Sequence, residues 1–344
     1  MSVSGKKRIE WIDMARGFCM LFVIIGHTLG NVSVEIGTSF VLPLLFIFSG
    51  MTGRFSDNFG QFTKGALKSA KKLLVPPIAV YLISVILSLV TRLINGTAVL
   101  SDSELAHPVN LIGTFLFQRC DDISLASVTI PQIGILWFFS TLYSLRLIFD
   151  LLVVILPKKI LPVGVAVISV CGAILGYFSI PLPLNLDIAM TIVPFIYFGY
   201  LIGKILRDEN LLKKYSSHPV FAFIISFILY AITFLICHYN CDYYFEIASS
   251  KYPLYPLCIA MACFGSVATI YGFAMISSRT TLLRPLGIIG FNTLYLYCIH
   301  SLDKFIKPIW SFTGNIYINA LVRTVVDITI MCIFLYIRKS FKKR

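Results

Sequence analysis

The chain alternates between long apolar blocks and short polar segments that are mostly basic. Most blocks approach or exceed the ~20 residues with which a helix crosses a hydrocarbon core of about 30 Å. Because lipid offers the backbone no hydrogen-bond partners, each block is expected to be helical. The blocks cover residues 17–34, 39–53, 73–94, 134–156, 160–180, 188–206, 219–238, 254–276, 286–302 and 316–337. The pattern therefore predicts an all-α polytopic membrane protein with about ten transmembrane helices.

Composition excludes a soluble domain. Hydrophobic residues make up 58% of the 344 residues and charged residues only 13%. A soluble domain carries about 25% charged residues, so this chain cannot cover a surface that faces water. The blocks 39–53 and 286–302 are short for a full crossing, and we expect them to be tilted, extended by flanking residues or re-entrant.

The distribution of positive charge predicts the orientation. The net charge is +13, and with a cytoplasmic N-terminus and ten alternating spans, 21 of the 29 Lys and Arg residues fall on the cytoplasmic side and 5 on the outer side. This bias follows the positive-inside rule, so both termini are predicted to be cytoplasmic. Topology and contact with anionic membrane lipid explain the basic character, and no nucleic-acid partner is expected.

The chain is predicted to be a single transmembrane domain, 1–344. Residues 1–10 and 338–344 are expected to be cytoplasmic tails, and 95–133 an outer loop. A loop of that length either folds over an outer cleft or is a solvated connector. Residues 54–73 have the pattern of a basic amphipathic helix, which could lie on the inner leaflet or bind a polyanionic cofactor.

The first span carries two ionisable residues, which are costly in lipid and often functional. Arg16 lies at its cytoplasmic end, and His27 follows about 16 Å further along the helix, at or past the middle of the bilayer. The two residues are about 20° apart around the helix axis and so share one stripe. A neutral histidine tolerates burial and can take a proton from a hydroxyl. The pair indicates a channel for a long anionic molecule; a snorkelling Arg and a His bonded to a neighbouring helix are the alternative.

This spacing of Arg16 and His27 resembles the first-span signature of the membrane-bound acyltransferase 3 family. Four further segments resemble family motifs in the same order: the second-span F-x-x-S-G pattern, a basic entry to the third span, a W-F-L motif, and a penultimate-span ending N-T-L-Y-I-Y-x-x-H. They are Phe46-Ile-Phe-Ser49-Gly50-Met51, the basic stretch before Lys72-Leu-Leu-Val-Pro76, Leu136-Trp137-Phe138-Phe139, and Gly290-Phe-Asn292-Thr-Leu-Tyr295-Leu-Tyr297-Cys-Ile-His300. Asn185-Leu-Asp187 is similar to the fucose 4-O-acetylase-like and capsular polysaccharide O-acetyltransferase-like members.

The resemblance implies transfer of an acyl group, usually acetyl, from cytoplasmic acyl-CoA to a hydroxyl of a cell-surface glycan or its lipid-linked precursor. It implies a multi-pass protein of a bacterial inner (plasma) membrane. Acetyl-CoA or another acyl-CoA is then a co-substrate, and we expect no permanently bound cofactor and no metal. His27 is predicted to be the catalytic base, or less simply an acyl carrier, and Arg16 to hold a CoA phosphate or the pantetheine carbonyl.

Further candidate residues follow from the matched segments. The candidate CoA-binding cations are Arg16, Arg54, Lys68, Lys71, Lys72 and Arg146. The candidate acceptor-binding residues are Trp137, Asn292, Tyr295 and His300, and the last three could instead orient His27. The basic entry to the third span is rich in Lys where the family has Arg, and the two differ as phosphate ligands.

Helical spacing also predicts three charge pairs. Asp13 is expected to pair with Arg16, and the sequence places an acid four residues after each of two other arginines. Those two pairs are Arg146 with Asp150, and Arg323 with Asp327.

Two other functions fit an apolar chain of this length. A lipid-linked glycan flippase or polymerase is one, although such proteins usually have more spans, and polymerases a larger outer loop. A non-catalytic membrane sensor is the other, but it would leave the shared stripe of Arg16 and His27 without a role.

Overall fold

The computed structural model describes residues 9–95, 108–125, 128–277 and 281–342. Helices dominate this part of the chain. The helices are α1 (Glu10–Leu29), α2 (Asn31–Ile36), α3 (Leu42–Thr52), α4 (Phe59–Leu73), α5 (Val75–Ile94), α6 (Pro108–Phe117), α7 (Trp137–Ile155), α8 (Leu161–Tyr177), α9 (Leu186–Thr191), α10 (Val193–Ile205), α11 (Glu209–Tyr215), α12 (Pro219–Asn240), α13 (Leu257–Ser277), α14 (Arg284–Phe291), α15 (Thr293–Leu302), α16 (Lys307–Trp310) and α17 (Ile316–Lys342). Two short strands, β1 (Ile123–Leu125) and β2 (Val128–Ile130), pair in an antiparallel arrangement.

Within the described ranges, seven helical segments are long and apolar enough to cross a bilayer. They are Glu10–Leu29, Val34–Thr52, Phe59–Ile94, Gly134–Ile155, Pro219–Asn240, Leu257–Ser277 and Ile316–Phe341. An eighth arises if α9 and α10, which meet at 65°, form one bent span. The protein is therefore an all-α polytopic membrane protein, whereas ten spans and cytoplasmic termini remain predictions.

The first helix begins earlier than predicted. It starts at Glu10 instead of residue 17, because polar side chains such as Asp13 are buried inside the bundle instead of facing water. It ends at Leu29, before Gly30 at φ +65°, a conformation that glycine adopts without strain. Arg16 consequently lies in the second turn of α1 and His27 in its last turn, nearer the helix end than the predicted position.

Two apolar blocks are broken helices. The block predicted at 188–206 divides at Ile192 into α9 and α10, where Pro194 lacks a backbone N–H. The short block at 286–302 divides at Asn292, whose Nδ2 donates to the backbone oxygen of Ile288 over 2.8 Å. Each of these blocks is therefore two shorter helices instead of one straight span.

Close packing of α14 on α1 positions α15, the second half of the broken helix 284–302. A Cβ added at Gly290 would lie 1.7 Å from the backbone oxygen of Asp13, and one at Gly17 would lie 2.1 Å from that of Leu286. Small residues at such crossings let membrane helices approach with their backbones in contact. The chain leaving α14 therefore enters α15 beside α1.

The segment between α5 and α7 is packed against the bundle where the structure describes it. Residues 96–107 and 126–127 of the predicted loop 95–133 lie outside the description, as do 1–8 and 343–344 of the tails. Arg119 forms an ion pair with Asp187 at 2.6 Å, and Asn185 Nδ2 donates to the backbone oxygen of Gln118 at 2.8 Å. The described part of this segment is thus anchored to the bundle and is more than a solvated connector.

The basic helix predicted at 54–73 is confirmed as α4. Asn58 caps it by accepting a hydrogen bond from the backbone of Gln61, and its side chains are partly or fully exposed. It joins α5 in one helical segment, Phe59–Ile94. The basic helix is therefore continuous with a spanning helix.

Candidate active site

His27 lies beside a second, buried histidine. Its side chain is exposed, whereas His300 on α15 is only 2% exposed, and the two ring centroids are 5.5 Å apart. A catalytic base must be reachable by the proton that it removes, and the exposure of His27 satisfies this requirement. The close approach of α14 and α15 to α1 produces this pair.

Two carboxylates hold His300 from the other side. Its Nδ1 lies 3.0 Å from Asp303 Oδ2 and 2.9 Å from Asp327 Oδ2, and all three side chains are nearly fully buried. Buried polar groups need such partners, because leaving water without them is costly. Since Nδ1 is engaged by the acids, Nε2 is the nitrogen that remains for another partner.

Arg323 completes the network. Its Nε and Nη2 donate to the two oxygens of Asp303 at 2.5 and 2.8 Å, a bidentate arrangement, and its Nη1 donates to Thr28 Oγ1 at 3.1 Å. Thr28 adjoins His27, so the network returns to α1 at that point. The predicted pairing of Arg323 with Asp327 is wrong, because the bundle brings Asp303 and His300 between them. We call His27, His300, Asp303, Arg323 and Asp327 the histidine cluster.

The same acids raise the question of a metal. The ligand atoms of His300, Asp303 and Asp327 lie within 4.8 Å of one another, which is close enough to surround an ion. However, both oxygens of Asp303 already accept hydrogen bonds from Arg323, a cation that would repel a metal. The donor arrangement is that of a hydrogen-bonded network, and we therefore place no metal here.

Three arginines surround the C-terminal half of α3. Arg16 Nη2 donates to the backbone oxygen of Phe48 and to Thr52 Oγ1 at 3.3 and 2.9 Å, and Arg16 pairs with Asp13 at 3.6 Å, as predicted. The other two donors are Arg146 Nη1 to Ser49 Oγ at 2.9 Å and Arg207 Nη1 to the backbone oxygen of Met51 at 3.4 Å. The negative end of a helix dipole favours cations there. We call Arg16, Arg146 and Arg207 the arginine group.

The face of α1 between Arg16 and His27 is packed. Met20 and Val23 occupy it; Met20 is 1% exposed, and Val23 packs against the hydrophobic core. Arg16 and His27 are about 16 Å apart along the helix. The channel expected along this stripe is therefore filled by apolar side chains in this structure.

Comparison with protein families matches residues 9–337 to the acyltransferase 3 family, described as an acyltransferase domain. The chain belongs to this family. Searches of curated proteins and of solved structures found no match. With the apolar helices, the match shows a membrane protein that transfers acyl groups, and it favours this activity over glycan flipping or polymerisation.

Other predicted cations of the acyltransferase lie on its surface. Arg54, which follows α3, and Lys68, Lys71 and Lys72 on α4 are exposed. Their region is fixed to α7 by Asp150, which accepts from the backbone N–H and hydroxyl of Ser56 at 2.6 and 2.9 Å. Asp150 therefore bonds Ser56, and Arg146 bonds α3, instead of forming the predicted direct pair.

The four predicted acceptor residues of the acyltransferase occupy different places. His300 belongs to the histidine cluster. Trp137 is buried at the start of α7, where its backbone oxygen accepts from Ser140. Asn292 caps the break before α15, and Tyr295 accepts a hydrogen bond from Arg338. The structure thus brings His300 to His27 but places the other three elsewhere, and their acceptor role remains a prediction.

The sequence does not indicate a site role for Arg207, and it does not indicate a cavity that lies apart from the predicted site residues. In the sequence, Arg207 is one of the basic residues counted on the cytoplasmic side and has no further signal. The cavity, of about 310 Å³, is lined by residues that include Arg119, Asp121, Asp122 and Asp187. None of the predicted site residues lines it. Its lining residues come from segments that are distant in sequence, so only the tertiary structure brings them together.

Proposed function

We propose that this acyltransferase moves a small acyl group, acetyl in the first instance, from cytoplasmic acyl-CoA to a hydroxyl of a cell-surface glycan or its lipid-linked precursor. The whole chain acts as one transmembrane catalytic domain in a bacterial inner membrane. The observation that carries the proposal is an exposed His27, supported by a buried histidine, in a chain of the acyltransferase 3 family.

The proposed chemistry is a direct transfer. His27 takes the proton of the acceptor hydroxyl while the hydroxyl oxygen bonds to the thioester carbon. The tetrahedral intermediate then collapses, the carbon–sulfur bond breaks, and the CoA thiolate leaves and receives the proton from His27. The products are an O-acyl ester and free CoA, with His27 returned to its neutral form.

The arginine group is proposed to hold the CoA end. Guanidinium groups bind phosphate through paired hydrogen bonds, and three of them lie around one helix end. The exposed Arg54, Lys68, Lys71 and Lys72 would attract the nucleotide from the aqueous side. Because Met20 and Val23 fill the direct path along α1, the acyl arm has to displace these side chains or pass beside them to reach His27.

The test is His27→Ala in membranes from producing cells, supplied with radiolabelled acetyl-CoA. Ester-linked label in the extracted glycan should fall by at least about 10²-fold, the lower range for loss of a general base. The matched control is His238→Ala, another exposed histidine, whose Nδ1 lies 2.7 Å from Glu35 Oε1. It should retain wild-type transfer.

Unchanged ester label in His27→Ala, with normal membrane insertion, would remove the base mechanism. Mass spectrometry of the glycan with and without the wild-type protein identifies the acyl group. A mass difference other than that of an acetyl group would identify a different acyl-CoA as the donor, and the proposed reaction type would be unchanged.

A further inference from the structure

The acids around His300 differ in how their charge is balanced. Asp303 is matched by the bidentate guanidinium of Arg323. Asp327 is fully buried, and its Oδ2 lies 2.9 Å from His300 Nδ1, while its Oδ1 has no hydrogen-bond partner among the described residues. Within the described part of the chain, Asp327 is therefore bonded to His300 alone, whereas Asp303 is bonded to both His300 and the cation of Arg323.

This arrangement fixes the tautomer of His300. A carboxylate at Nδ1 requires the proton of a neutral imidazole to be on that nitrogen, which leaves Nε2 as an acceptor. The ring of His27 is the adjacent aromatic neighbour, 5.5 Å away between centroids. A buried acid that holds a histidine in one tautomer and stabilises its cationic form is a known way to support a base.

We propose that Asp327 is a positioning residue that acts through His300 on His27. It keeps the proton of His300 on Nδ1, so that Nε2 accepts a hydrogen bond from His27 when His27 becomes protonated during transfer. Asp303, held by Arg323, fixes the same ring from a second direction. The inference rests on the proposed function of His27 and extends the site to two helices that the first-span signature does not include.

The kinetic test compares Asp327→Asn with wild type in membrane vesicles. The maximal rate of acetyl transfer should fall by about 10²–10⁴-fold, because removing the acid of such an arrangement leaves the wrong tautomer. The KM for acetyl-CoA should stay within about twofold, since Asp327 does not belong to the arginine group. The control is Glu35→Gln, which removes the carboxylate of the His238 pair, and it should keep wild-type values.

A spectroscopic test is independent of activity. The chain contains only five histidines, so nitrogen-15 NMR of histidine-labelled protein in lipid bilayers can resolve them, with His300→Gln assigning one signal. Wild type should show His300 protonated at Nδ1, and Asp327→Asn should change that signal. If Asp327→Asn does not insert, His300→Gln takes its place in the kinetic test, with the same expected loss.

The outcomes separate the two proposals. A wild-type rate in Asp327→Asn, or a His300 signal without a proton on Nδ1, overturns the positioning role while His27 remains the base. If wild-type vesicles transfer no acetyl or other acyl group, the proposed function fails, and the positioning role fails with it.

Discussion

Gly290 determines how closely α14 approaches α1, and its replacement by alanine tests whether that approach builds the site. The added Cβ would lie 1.7 Å from the backbone oxygen of Asp13, whereas ordinary contact begins at 3.4 Å. A backbone oxygen cannot rotate away as a side chain can. The two helices would therefore have to separate by roughly 1.5–2 Å to accept one methyl group, an overpacking that costs about 1–3 kcal/mol.

The separation of the two helices should also change the distance between His27 and His300. His27 is carried by α1, and His300 is carried by the helix that follows α14. A misplacement of about 1 Å in a catalytic group can cost as much as 10²-fold in rate. We therefore expect Gly290→Ala to lower the rate of acetyl transfer by at least about tenfold. The lower thermal stability should appear in an unfolding curve of the purified protein in lipid nanodiscs.

The control lies on the same helix. A Cβ at Gly287 meets only Met14 Cγ, at an ordinary 3.8 Å. Alanine is favoured over glycine inside a helix by roughly 0.5–1 kcal/mol, so Gly287→Ala should be neutral or slightly stabilising. Wild-type transfer and stability in Gly290→Ala would refute the close crossing of α1 and α14, and so would equal losses in both variants.

Two further predictions concern the charged groups. Arg323→Gln leaves the buried Asp303 without its cation, and we expect a loss of about 3–5 kcal/mol in unfolding free energy; an unchanged unfolding curve would contradict the ion pair. Arg207→Ala should raise the KM for acetyl-CoA by about tenfold with little change in maximal rate, since a hydrogen bond to a charged group contributes about 1.5–3 kcal/mol. Lys213→Ala, which removes an exposed positive charge on α11, is the control, and an unchanged KM in Arg207→Ala would exclude that residue from the CoA site.

Helical spacing alone did not decide which charge pairs form. The pair of Asp13 and Arg16, three residues apart, is present. Arg323 and Asp327 have equally suitable spacing, yet Arg323 bonds Asp303 and Asp327 bonds His300. Spacing identifies which partners are within reach on the same helix, but a stronger partner from a neighbouring helix takes precedence when packing brings it close.

The amino-acid sequence alone determined the class of protein, the positions of most helices and the two residues of the first-span signature. These properties are encoded locally, because the length of an apolar block and the spacing of two residues do not depend on the rest of the bundle. Only the tertiary structure decided that His300 lies beside His27 and is bonded by Asp303 and Asp327. It also decided that Arg207 joins Arg16 and Arg146, and that Met20 fills the expected channel. Such meetings depend on how closely helices distant in sequence can approach, and in this protein a glycine crossing between α1 and α14 determines that distance.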